Sequence, residues 1–178
     1  MTCSNILAAG ADDDIPTEPG VCFLNGFLPG KATDQENVYA GFVLRDKPDV
    51  SFVLQTDSNI REQTTLLQRG TSVNQALKQR DGRTIRKGHV ALAGMQAEEW
   101  LAEGMTTAAI RGHHFGMEAN SKTGSAQSPL ISLEMDNGGI PPDDDPEHRA
   151  VKASLTEGEA VGLWDAISRT LRTRPNAF

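Results

Sequence analysis

The sequence predicts an α+β fold, an antiparallel β-sheet with helices packed on one face. Three observations carry that expectation. Short segments with apolar residues at every second position recur between residues 38 and 136. Two stretches instead show helical spacing, one over 61–79 and one at the end of the chain. The strand-like segments of 88–136 follow one another through short turns, whereas parallel βαβ units need a helix between successive strands.

Residues 1–18 read as a linker or N-terminal extension, acidic and punctuated by Pro16, with no periodicity. Residues 19–178 read as a single domain. Val21 to Leu28 is a short apolar run interrupted by Gly26, which suggests a strand with a bulge or a close backbone approach. Val38, Ala40, Phe42 and Leu44 share one face of a strand, as do Val50, Phe52 and Leu54 of the next. Arg45 to Asp49 lies between them as a turn, giving an antiparallel hairpin. Over 61–79 the candidate buried positions are Leu66, Leu67, Val73, Ala76 and Leu77, with Gly70 dividing the stretch into two short helices. Asp81-Gly82 is a turn signal that opens a second β region. Val90 and Leu92 lie on one side of its first strand, and the chain through Trp100 continues it or pairs back after Gly94. Thr106 to Phe115 is a further candidate strand. Ile131, Leu133 and Met135 alternate with Ser132, Glu134 and Asp136, the cleanest half-buried strand pattern in the chain.

The terminal segment is the most explicit. Thr156 to Glu159 is a T-x-x-E capping box, in which each side chain satisfies a backbone donor at the helix start. Leu155 precedes the cap and can staple onto Ala160. Ala160, Leu163, Trp164, Ile167 and Leu171 form one apolar stripe, and Arg169, Arg172 and Arg174 suit the negative end of a helix dipole before Pro175 stops the run. This helix is expected to dock through Leu163, Trp164 and Ile167.

With 178 residues, the chain can build one domain with a sizeable core, mostly aliphatic because only 5% of residues are aromatic. A net charge of −7 and a pI of about 5.0 argue against nucleic acid as a partner, which calls for basic phosphate-contacting surface. No apolar run approaches the ~20 residues that span a bilayer as a helix. The first ten residues lack the basic and apolar regions of an intact signal peptide.

Candidate chemistry is sparse. The fragment nearest to a nucleophile elbow, Gly124-Ser125-Ala126-Gln127-Ser128, lacks the second glycine of G-x-S-x-G and precedes a strand. His113 and His114 are neighbours, so on a strand they face opposite sides and do not share one ion. Asp12–Asp14 and Asp143–Asp145 lack the spacing of a calcium loop and read as solvated linker and loop. Asn137-Gly138-Gly139 lacks the lysine and following helix of a phosphate loop. Of Glu98 and Glu99, only one can enter a given site; the expected role is a hydrogen-bond acceptor for an arginine such as Arg83 or Arg86. Cys3 and Cys22 are the two cysteines, either unpaired or a candidate disulfide that would contribute about 3 kcal/mol in an oxidising compartment. No cofactor, metal or catalytic residue is assigned.

The ordered segments PGVCFLNGF (19–27), ENVYAGFVLRDKPDVSFVLQTDSN (36–59), LLQR (66–69), GHVALAGMQAEEWL (88–101), SPLISLEMDNGG (128–139) and the terminal SL, LWDAI and R-x-R-P elements resemble the C-terminal domain of cognate immunity proteins of type VI secretion phospholipase (lipase) effectors. The resemblance implies a non-enzymatic, periplasmic antitoxin in bacterial competition. Its partner would be the lipase effector, inhibited by a block at the active-site entrance or lid. It also implies an N-terminal domain and an export signal, so the expectation is a fragment of a larger protein or a natural short form. Loops 106–127 and 137–148, long and polar, are the expected contact segments. The alternative readings are a small hydrolase and an adaptor for some other protein.

Overall fold

The computed structural model describes residues 16–23, 26–31, 35–92, 94–141 and 149–172, with their side chains except at 21–23, 26 and 28. A two-stranded hairpin, β1 (Gly20–Phe23) and β2 (Gly26–Pro29), precedes the main sheet. Gly26 therefore starts a second strand, paired with Phe23, where a single strand with a bulge or a close backbone approach was expected. The main sheet holds β3 (Asn37–Leu44), β4 (Lys47–Asp57), β5 (Arg83–Leu92), β6 (Met95–Met105), β7 (Arg111–Ala119) and β8 (Leu130–Asn137). Its order is β3-β4-β8-β7-β6-β5, and every neighbouring pair is antiparallel. A hairpin and a four-strand meander are thus joined where β8 returns to pair with β4.

Pairing back after Gly94 makes the β5–β6 hairpin, and Gly94 supplies the positive φ of +77° that this reversal uses. The β3–β4 turn is tighter than expected, because β4 already begins at Lys47. Gly112 is needed for another reason. A Cβ there would lie 2.2 Å from the Asn137 carbonyl oxygen, so β7 can approach the end of β8 only with no side chain at that position.

Period-two alternation puts Val50, Phe52, Val90, Leu101, Phe115, Met117, Leu133 and Met135 into one core. This face is covered by α2 (Glu157–Ser168), through Ala160 and the fully buried Trp164. Trp164 meets the Phe115 ring edge-on at 5.9 Å between centroids, a favoured arrangement of aromatic quadrupoles. The capping box forms as the sequence predicts: Thr156 Oγ1 accepts from Glu159 N–H, and the Glu159 carboxylate accepts from Thr156 N–H. The helix ends at Ser168, before the arginines reach its last turn. Arg169 turns back to a buried carboxylate instead of facing the terminal carbonyls.

The other helix departs from expectation. Gly70 opens α1 (Gly70–Gln79) directly after a 3-10 turn, Leu67–Arg69, and none of the residues of α1 is fully buried. This segment lies on the opposite face from α2. Glu98 and Trp100 alternate with Glu99 and Leu101 along β6, and it is Glu98 that accepts from Leu67 N–H (2.8 Å) and Trp100 that Gly70 approaches. The α+β class stands, but the two helices are divided between faces. The physical reason is Trp100, a large ring on the far side of the sheet, covered by Gly70 and by Lys87, whose ammonium sits 4.1 Å from the ring centroid.

Candidate interaction surface and its supporting network

On the core face, a polar network fixes α2. Glu99 is buried between sheet and helix, where its carboxylate accepts from Arg86 Nε (2.8 Å), Trp164 Nε1 (3.0 Å) and Arg169 (2.9 Å). Of the two arginines named as its partners, Arg86 is the one that binds it; Arg83 pairs with Glu103 and Glu157. Arg86 also holds Asp165 of α2, and their hydrogen bond keeps the guanidinium pKa above, and the carboxyl pKa below, their ordinary values. A buried carboxylate that accepts from three donors, two of them cationic, is a satisfied structural group.

A second tether holds the segment before α2. Ser154 donates from its backbone and hydroxyl to the buried Asp49 (2.9 and 2.5 Å), and Leu155 is gripped on both sides by Asn137. Sequence reasoning missed both residues. Asp49 reads as part of a turn and Asn137 as the start of a glycine loop, and nothing in their local pattern signals a partner more than a dozen positions away.

The other candidates resolve as structural. Ser125 Oγ accepts from Ser128 N–H within a tight turn. His113 and His114 do face opposite sides, His113 toward the core and His114 outward to Asp136 (Nδ1 to Oδ1, 2.8 Å). That bond raises the His114 pKa. A cleft of about 400 Å³ near the 3-10 turn is lined by Thr65, His89, Glu98, Glu118 and Ser121. Its acids are already engaged: Glu98 by the Leu67 amide, Glu118 by Arg69 and Ser121. Among the described residues no group of His, Cys, Asp and Glu is arranged to hold a metal ion. Cys3, the side chain of Cys22, and both Asp12–Asp14 and Asp143–Asp145 lie outside what is described. Within the expected contact segment 106–127, residues 111–119 form β7, placed inside the sheet by pairing with both β6 and β8, while 106–110 and 120–127 are turn and loop. Most of 137–148 lies outside the described residues.

Among the described residues, the face opposite α2 is left open over β3, β4, β8 and the near half of β7. By register, Tyr39, Gly41 and Val43 of β3 share it with Val53, Glu134, Asp136, His114 and Gly116. Tyr39 is 68% exposed and Val43 42%, while Gly41 and Gly116 leave open space above the sheet. An exposed aromatic beside apolar and acidic groups on a rigid sheet is a surface fit for protein contact. No described helix is long and apolar enough to cross a membrane.

The fold and this surface describe an α+β protein-interaction domain. Residues 14–176 match the family model of the Tle cognate immunity protein 4 C-terminal domain, and the chain belongs to that family. Among solved structures it is similar to the immunity protein TplEi of the type VI secretion system from Pseudomonas aeruginosa. The TplEi form complexed with "L" peptide has 26% identity and a TM-score of 0.72 over 93% of this chain and 58% of that one. Apo TplEi gives 25% identity and a TM-score of 0.71 over 93% and 53%. A chain of the Tle4–Tli4 complex shares the fold at 24% identity, with a TM-score of 0.70 over 92% and 54%. The chain thus spans little more than half the length of these proteins. No curated protein matches it.

Proposed function

We propose that this domain binds and inhibits a type VI secreted phospholipase effector in the periplasm, protecting the cell that makes it. The observation that carries this reading is the family match over residues 14–176, supported by the similarity to TplEi, an immunity protein solved with a bound peptide. Inhibition of this kind requires no chemistry from the inhibitor. A rigid surface that covers the enzyme's active-site entrance, or that prefers its closed lid, lowers activity by its differential affinity for the closed state. The open face around Tyr39 and Val43 is the contact surface we assign, with Glu134 and Asp136 steering a basic partner surface. The test is co-purification with a lipase encoded beside this gene, followed by a phospholipase assay with and without the chain. Binding together with loss of lipase turnover supports the proposal; turnover by this chain itself would favour a hydrolase.

A further inference from the structure

Asn137 is fully buried, and its amide can adopt only one orientation. The Leu155 N–H can only donate, so the atom facing it at 3.1 Å is Oδ1; the Leu155 carbonyl can only accept, so the atom facing it at 2.9 Å is Nδ2. Nδ2 carries two hydrogens. The second points at Nδ1 of the buried His113, 2.7 Å away. Since Nδ2 has no lone pair to offer, His113 Nδ1 must accept, and the ring is neutral with its proton on Nε2.

We propose that His113, Asn137 and Leu155 form an acid-sensitive latch, in which neutral His113 holds Asn137 in the orientation that docks the segment opening α2, and protonation of His113 releases it. A proton on Nδ1 sets two donors against each other at a buried site, with Asn137 fully covered and His113 8% exposed. Asn137 cannot relieve the conflict by flipping, because both of its bonds to Leu155 would then fail. The release therefore passes to Leu155, the residue before the Thr156 cap, and from there to α2.

The groups facing His113 are known from each side. Glu103 of β6 is its cross-strand partner, Asn137 lies on β8, Glu157 comes from α2 and Arg83 from β5. Burial is the largest influence and lowers the imidazole pKa; Glu103 and Glu157 oppose it, and Arg83 reinforces it. The two acids are themselves paired with Arg83, which blunts their pull. On sign, a depressed folded pKa means that the latch's contribution is complete above the free-imidazole value of about 6.5 and is lost as pH falls from there through the folded value. His114 acts in the opposite sense through Asp136, so bulk stability against pH does not isolate the latch.

The test is NMR of the intact chain with nitrogen-15-labelled histidine. At about pH 7.5, above the free imidazole value, His113 should show an unprotonated Nδ1 and a protonated Nε2. Its titration midpoint should fall below that of free imidazole, and Leu155 amide exchange, corrected for the intrinsic pH effect, should speed up about tenfold or more as His113 protonates. His113→Gln, which can still accept through Oε1 and does not titrate, should remove that pH dependence. A proton found on Nδ1 at neutral pH, a midpoint above that of free imidazole, or Leu155 exchange indifferent to His113 would overturn the proposal. Should the glutamine variant not fold, the wild-type measurements decide alone. None of these readouts involves a lipase, so the latch and the inhibitory function fail independently.

Discussion

The indole N–H of Trp164 donates to the carboxylate of Glu99 across 3.0 Å, in the layer between α2 and the sheet. Two arginines converge on the same carboxylate, so one buried acid ties together β5, β6, α2 and the residue that follows α2. The helix is thus placed by apolar contact and oriented by a charge.

Replacing Trp164 by alanine removes a fully buried ring and one of the three donors to Glu99. The expected cost is about 3–5 kcal/mol. Urea unfolding followed by circular dichroism measures it; an unchanged midpoint would mean that the indole is not in the core.

Glu99→Ala leaves Arg86 without its buried partner, although Asp165 still holds the guanidinium. The expected loss is about 3 kcal/mol, at the lower end for breaking a buried pair because of that remaining bond. The double variant with Arg86→Ala should lose less than the sum of the two single changes, which a double-mutant cycle reads directly.

Gly112→Ala forces a methyl group against the Asn137 carbonyl oxygen. Backbone has to move, so the substitution should cost roughly 1–3 kcal/mol or more. Alanine at Gly116, which faces open space, serves as the control and should remain near wild type.

The His114–Asp136 bond predicts a pH effect of the opposite sign to that of His113. The pKa of His114 is raised, chiefly by the Asp136 hydrogen bond, so its contribution is fully present below about pH 6.5 and fades as pH rises through the folded value. The imidazole is about half exposed (55%), so the effect should be small. His114→Ala should flatten that part of the stability profile, while an unchanged profile would show that the pair contributes nothing in solution.

Much of this was legible in the sequence, and the remainder has identifiable causes. Alternation gave β3, β4 and β8, and T-x-x-E gave the start of α2, because both signals are local. The acceptor role of Glu99 was legible from its charge beside nearby arginines. The side of the sheet taken by α1 was not, since Trp100 lies among consecutive buried residues of β6 and shows no alternation to reveal its face. The end of α2 was also hidden. The apolar stripe continues to Leu171, but Arg169 is drawn away by Glu99, a contact across 70 positions. Asn137 and Asp49 likewise take their roles from long-range partners, and β7 was half concealed as a polar segment although it lies inside the sheet.

Tyr39→Arg should leave unfolding unchanged, because the ring is largely exposed. If the open face meets a basic effector surface, the substitution should weaken that binding by about 2 kcal/mol, the scale of an interface hot spot. Undiminished affinity would move the contact elsewhere on the domain.

The most direct measurement is calorimetric titration of the cognate lipase with this chain, paired with phospholipase turnover. The expected result is saturable binding and reduced turnover with this chain alone. No detectable binding to the lipase by this folded domain, or phospholipid hydrolysis by the domain itself, would contradict the proposed function.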